Sequence, residues 1–200
     1  MAYRDFKMSD LTQKFGIREI GTHIFDHNTI PRIEPTEKLK ADLLEAEYIT
    51  LSTEKAVSER LVAPVLVEMA KRNEFLQVFS GEIIVADKKQ GLNGEIDFVL
   101  ARKPWTRKPT NPLFCITESK LGLIDSGVDQ ATAQMLGLRV FNQQKGYDEI
   151  IIHGAVTDGS RWRFLKLEGN NLYLDLHRYS TEDLPLLLGV LQTLIDFYKK

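Results

Sequence analysis

The chain has a single cysteine, Cys115, in 200 residues. No internal disulfide can form, and that usage fits a reducing compartment, so the cytoplasm is the expected setting. Long apolar runs are missing too: nothing approaches the ~18 residues of a membrane span. The first thirty residues lack the charged start and apolar core of a secretory leader. Neither sign of charge dominates, with 26 Lys and Arg against 28 Asp and Glu. Any attraction to nucleic acid must therefore come from a local patch, not a global field. Repeats and low-complexity tracts are absent. What is present is an ordinary globular composition, 43% hydrophobic and 27% charged. This length suits one globular unit with a sizeable core.

Residues 1–51 read as an N-terminal arm followed by a scaffold helix, and residues 52–200 as an α/β domain. Ser9 is placed to cap a short helix. His23 and His27 have metal-ligand spacing only on a helix, and Gly21, Asn28 and Pro31 argue against one, so the segment reads as an arm packed on the surface. Leu39, Leu43 and Ala46 recur at helical spacing over 35–48, with Thr36 as cap. A longer helix is predicted over 53–72, striped by Val57, Leu61, Val65 and Met69 and bent at Pro64, which lacks a backbone donor. On that wheel Glu59 lies beside Val62, Ala63 and Leu66. An acid so placed either points at something or edges the stripe at the surface. Glu54 falls in the first turn, where it serves the helix dipole.

Residues 75–86 read as a strand or a bent pair, with Gly81 as a bulge. Over 94–102, alternation puts Glu95, Asp97 and Val99 on one face and Ile96, Phe98 and Leu100 on the other. An acid in mid-strand is costly against an apolar core, so Asp97 faces water or holds something cationic. Arg102, Lys103, Arg107 and Lys108 then surround Trp105 in a loop stiffened by proline. Such a loop can contact phosphates and stack on a base, or be a solvated hairpin tip. The next strand, 112–120, has a continuous apolar run from Leu113 to Ile116, as expected where both faces are covered. Glu118 and Lys120 end it on one face. Cys115 reads as core filler, with no charged neighbour in sequence to activate it.

Ser126 caps a helix running to about Asn142, with Val128, Ala131, Met135 and Leu138 inward. Gln130 and Gln134 lie one turn apart on a neighbouring face, where glutamines can orient water or donate to phosphate. Three strands follow, with turns at Asp158–Ser160 and Gly169–Asn171. His153 reads as structural, and His177 as exposed on the last strand. A closing helix over 181–199 is apolar on more than one face, so it is either deeply packed or a homodimer contact.

An acid on one strand, Glu-x-Lys on the next and a polar helix after them resemble the PD-(D/E)XK nuclease superfamily, with its restriction-endonuclease-like fold. The similarity spans residues 52–168 and is nearest to small bacterial members and to the nuclease part of type I restriction subunits. Asp-then-Glu-x-Lys is a weak signal alone, and its value comes from the strand, strand, helix context. The resemblance implies a central mixed β-sheet flanked by helices around an αβββαβ core. It implies a nuclease that uses Mg2+, with Mn2+ as a substitute, and nucleic acid, DNA foremost, as partner. Asp97 matches the first acid, Glu118-Ser119-Lys120 the second motif, Glu59 the helix acid and Gln130 the polar helix position. Ile96 stands where that motif has proline. Asp97, Glu118 and Glu59 would then ligate metal, and Lys120 would position water or stabilise developing charge. Arg102, Lys103, Trp105, Arg107, Lys108 and Gln134 would contact nucleic acid. Two carboxylates ~4 Å apart repel by roughly 4 kcal/mol at an effective dielectric of 20, so Lys120 also has a resting role. Two other readings stay open: a nucleic-acid-binding or assembly protein that keeps the fold without turnover, and a plain α/β domain whose acids form structural salt bridges, which Asp97 and Glu118 on opposite sheet faces would support.

Overall fold

The alternation that fills the second half of the chain builds one sheet, seen in a computed structural model that describes residues 2–103, 113–147 and 151–199. The side chains of Phe114, Cys115, Ile116 and Ser119 lie outside the described set, so the expectation for Cys115 does too. The helices are α1 (Met8–Phe15), α2 (Glu37–Glu45), α3 (Glu54–Val57), α4 (Ala63–Arg72), α5 (Val128–Gln144) and α6 (Leu184–Phe197). The strands are β1 (Arg18–Thr22), β2 (Leu76–Asp87), β3 (Leu92–Arg102), β4 (Leu113–Ser119), β5 (Ile151–Thr157), β6 (Arg161–Glu168), β7 (Asn171–Asp175) and β8 (Tyr179–Ser180). They join in the order β1-β7-β6-β5-β4-β3-β2, with β8 beside β6. The pairs β4–β5 and β1–β7 are parallel and the others antiparallel, which makes the sheet mixed. A parallel pair needs a crossover, and α5 supplies it between β4 and β5. The fold is thus α/β, with a central mixed sheet flanked by helices.

Alternation on β6 shows the layering. Leu165 and Leu167 join one core with Leu11, Met135 and Leu138, on the side of α1 and α5. Trp162 and Phe164 join the other with Val65, Met69, Leu187 and Leu191, on the side of α4 and α6. Both faces of the sheet are covered, as the apolar run in β4 requires.

The N-terminal residues do more than an arm would. Tyr3, Phe6, Leu11 and Ile17 are buried in the α5-side core, and β1 adds a strand in register with β7. The α1 helix starts before Ser9: Lys7 is its cap, and the Asp10 carboxylate accepts the Lys7 N–H at 3.0 Å. Thr36 and Thr53 cap α2 and α3 through their hydroxyls. Between α3 and α4 the chain widens into a π turn, Ser58–Val62, in which the Ala63 N–H donates to the Ser58 carbonyl. Pro64 lies just beyond. It has no N–H, and its ring would collide with the carbonyl four residues back, so the strain expected at Pro64 is absorbed as a wide turn.

The apolar breadth of α6 is accounted for within the chain. Leu184, Leu187, Leu188, Val190, Leu191, Leu194 and Ile195 are all buried. Residues 30–33 lie across the helix: the Ile33 N–H donates to the Pro185 carbonyl at 3.0 Å, and Arg32 pairs with Asp183 at 2.6 Å. The face that suggested a homodimer contact is therefore covered by this chain's own arm. His153 is buried beside the Tyr198 hydroxyl, and burial pushes its pKa down to about 3, so it is a neutral structural group. His177 differs from expectation. It lies past β7, half-buried, with its ring 4.1 Å from that of His27.

One irregularity in the sheet makes room for a cavity. Phe79 shares a core with Ile84 and Ala86, and Ile96 shares it with Val99 and Ala101, whereas Phe98 and Leu100 join the opposite core. Side-chain parity therefore changes face at Gly81 on β2 and at Asp97 on β3. Gly81 has φ +67°, which a strand residue with a side chain rarely adopts. Straight alternation, which grouped Ile96 with Phe98 and Leu100, fails at this turn-over.

Candidate active site

Asp97 sits at the switch in β3, half-buried. Glu118 is the last but one residue of β4 and is 2% exposed. The register Phe98–Thr117 makes Asp97 and Glu118 the next residues along this strand pair. Parallel pairing with β5 sets Glu118 beside Val156, which belongs to the α5-side core, so its carboxylate is aimed toward α5. There the Gln134 side-chain amide donates to Glu118 Oε2 at 2.7 Å. The other oxygen, Oε1, is 3.0 Å from Lys120 Nζ.

Lys120 follows the strand directly, its N–H bonded to the Thr157 carbonyl at 2.7 Å. Its ammonium also donates to Gln130 Oε1 at 3.2 Å and lies 3.6 Å from Glu54 Oε1. The aliphatic stem passes over Gly127, where a Cβ would come within 2.8 Å of Lys120 Cγ and 2.6 Å of Val156. A glycine is needed there for the lysine to lie flat.

Asp97, Glu118, Lys120, Gln130 and Glu59 all line one open cavity of about 940 Å3. Asp97 and Glu118 thus share a site, which removes the arrangement with the two acids on opposite faces. Glu59 stands at the rim, with its side chain 59% exposed and 3.8 Å from Lys55. Gln134 is not on the nucleic-acid surface where expectation put it. It is fully buried behind Glu118, so it supports that carboxylate and cannot reach a phosphate. Arg102 ends β3 and donates to the Tyr198 carbonyl at 2.8 Å. Neither it nor the exposed Lys103 lines the cavity. Trp105, Arg107 and Lys108 lie outside the described residues.

The sequence reading missed Glu54, Glu95 and Arg4, which line the same cavity. The Thr53 cap does mark where α3 begins, but nothing in the sequence says that this helix end abuts Lys120.

Burial drives the electrostatics. It pushes the Glu118 carboxyl up to about 7, and the charge of Asp97 adds to that rise, while Lys120 and Gln134 oppose it. For Lys120, burial acts to lower the pKa, but the carboxylates of Glu118, Glu54 and Asp97 outweigh it and hold the ammonium above its ordinary value. Among the described residues the cavity carries the acids Glu54, Glu59, Glu95, Asp97 and Glu118 against the cations Arg4, Lys55 and Lys120, so their sum is acidic. Among the described residues no group of three or more His, Cys, Asp and Glu is gathered to hold a metal ion. Asp97 and Glu118 instead bring two carboxylates to one cavity. That set fits Mg2+, which binds one or two carboxylates and completes its shell with water and phosphate oxygens.

The pH dependence has a definite sign. Below the ordinary carboxyl value of 4.5, Glu118 is protonated in both folded and unfolded chains. Between 4.5 and about 7 the unfolded chain releases that proton and the folded chain keeps it, so metal-free stability falls as pH rises through this window. The depressed pKa values of His153 and His177 contribute in the opposite sense, being stabilising once pH exceeds the ordinary histidine value. The comparison must therefore be with Glu118→Gln. In EDTA, wild type is expected to lose more Tm than Glu118→Gln between roughly pH 5 and pH 8. Parallel Tm–pH curves for the two proteins would refute the raised Glu118.

No protein-family model matches this sequence, and no curated protein matches it either.

Proposed function

We propose that this chain is a metal-dependent phosphodiesterase that cleaves nucleic acid, with DNA as first choice of substrate and a site of the PD-(D/E)XK kind. The observation that carries this reading is the convergence of Asp97, Glu118 and Lys120 from β3 and β4 on one cavity, with both oxygens of Glu118 held. Asp97 and Glu118 would hold Mg2+, or Mn2+ in its place, with Glu59 or Glu54 reached through water. A bound Mg2+ would supply charge neutralisation at the phosphate and a more acidic water. Gln134 keeps the Glu118 carboxylate turned to the cavity. Gln130 accepts from Lys120 and holds its ammonium toward the same space. Once cation charge is present, Lys120 is no longer needed to offset the two acids and is available to a water or a phosphate oxygen. Glu54, 3.6 Å away, adds to the pull of Glu118 that favours the charged ammonium. No helix among the described residues is long and apolar enough to cross a membrane, and the cytoplasm is the proposed setting.

The competing reading, a nucleic-acid-binding or assembly protein without turnover, is favoured by one observation: among the described residues no third ligand is gathered with Asp97 and Glu118. Isothermal titration of Mg2+ and Mn2+ into wild type and Asp97→Ala, followed by DNA cleavage assays, separates the two. The nuclease reading expects binding to wild type, loss of binding in the variant and cleavage that follows the metal. DNA retention without cleavage in either metal would give the site to the non-catalytic reading.

A further inference from the structure

The N-terminal turn Tyr3–Asp5 brings Tyr3 and Arg4 into the lining of the cavity. Tyr3 is buried to 1% exposure against α5 and β3. Its ring lies over Gly137, where any Cβ would overlap the tyrosine hydroxyl, and beside Gly94, where a Cβ would come within 3.2 Å. The Ala2 N–H donates to the Asp5 carboxylate at 2.7 Å, closing the turn on itself. Between these anchors Arg4 stands out, its side chain 84% exposed and 4.0 Å from an Asp5 that is already engaged. Among the described residues the cavity's other cations are Lys120, held by Glu118, and Lys55, which lies 3.8 Å from the exposed Glu59.

Two further features bear on what enters. A volume of about 940 Å3 lies at the upper end for pockets that enclose a small ligand, so a short piece of strand fits inside. Ile83 lines the same cavity and is 69% exposed. An apolar side chain offered to solvent there is useful to an unstacked base, whose face is free, and not to a base inside a duplex stack.

We propose that the turn Tyr3–Asp5 is a strap along the substrate cleft, that Arg4 with Lys55 grips the phosphates of one strand, and that the site takes single-stranded or frayed nucleic acid in preference to continuous duplex. This rests on the phosphodiesterase reading above. A guanidinium matches a phosphate with two parallel donors, which explains an arginine at the exposed position. Each phosphate contact on a single strand contributes about 0.7 to the slope of log affinity against log salt.

The test is fluorescence anisotropy in Ca2+ with a labelled single-stranded DNA of about 12 nucleotides, a length one small nucleic-acid fold can cover, and with its duplex. Wild type is expected to bind the single strand several-fold more tightly. Arg4→Ala should weaken that binding several-fold and flatten the salt slope by about 0.7, Arg4→Lys should recover part of it, and Mg2+ titration of Arg4→Ala should match wild type. If wild type binds metal and cuts DNA, yet prefers duplex or is unchanged by Arg4→Ala, the strap assignment is overturned and the phosphodiesterase reading stands. If wild type binds neither metal nor DNA, both fall together.

Discussion

Lys120→Ala is expected to lower the rate of nucleic-acid cleavage by about 10²–10³-fold, the usual loss when one preorganised group facing developing charge is removed. The same variant is expected to keep its affinity for Mg2+ or gain some. Asp97 and Glu118 would then face each other without the ammonium that now sits 3.0 Å from Glu118, and a cation would relieve more repulsion than before. Metal-free stability should fall for the same reason, and Mg2+ should restore it. Single-turnover cleavage, Mg2+ titration and Tm with and without metal read these three effects separately. A variant that cuts like wild type would remove Lys120 from the chemistry. One that loses cleavage only because it no longer folds in Mg2+ would make the lysine a structural counter-ion. Lys120→Arg is not a mild change here: the stem lies flat on Gly127 and the ammonium meets Gln130 at 3.2 Å, and a planar fork needs a different approach.

Gly189→Ala should be the most damaging small substitution in the scaffold. Gly189 lies in mid-α6, and a Cβ there would overlap the Pro31 carbonyl and come within 3.0 Å of Ile30 Cγ2. Helix propensity favours alanine by about 1 kcal/mol. The obstacle is backbone, however, so the arm must lift. Overpacking of this kind costs about 3 kcal/mol, at the upper end of its usual range. For a chain of this size that lowers Tm by roughly 10 °C. A lifted arm also uncovers the leucine-rich face of α6, so concentration-dependent self-association in light scattering should accompany the drop. An unchanged Tm would mean that the arm does not seal this helix. Gly137→Ala makes a useful partner to it. Its methyl group would meet the Tyr3 hydroxyl, so its damage should appear at the substrate cleft, through the strap that carries Arg4, as well as in stability.

Much of this architecture is legible in the amino acids because burial is periodic. The helix over 35–48, the helix expected after Ser126, the strands on either side of Asp158–Ser160 and Gly169–Asn171, and the closing helix all bury one repeating set of side chains, and each is present. Ser126 does not cap its helix, however: its hydroxyl donates to the Leu123 carbonyl in a 3-10 turn, and α5 starts at Val128. The β1 strand was invisible for the converse reason. Four of its five residues are exposed, it is held by backbone pairing at a sheet edge, and no side-chain pattern marks it. Glu59 and Glu54 show another limit. A wheel drawn at ~100° per residue assumes one unbroken α-helix, and the π turn at Ser58–Val62 inserts extra residues per turn. Positions before and after it are rotated relative to one another. The acid that meets Lys120 is accordingly Glu54, before the turn, while Glu59 stands at the rim.

The sequence by itself determined the order of the main elements from residue 35 onward, the α/β class and the placement of Asp97, Glu118, Lys120 and Gln130 on or beside two strands and the following helix, since each depends on spacing within a few residues. Tertiary structure alone decided that Asp97 and Glu118 share one cavity, because this needs the change of face at Gly81 and Asp97. It alone put Gln134 behind Glu118, since depth in a core is set by what packs on top, and it alone brought Arg4 to the cleft and the arm onto α6. Periodicity reports which way a side chain points from its own element. Which other element waits there is settled only when the chain closes on itself.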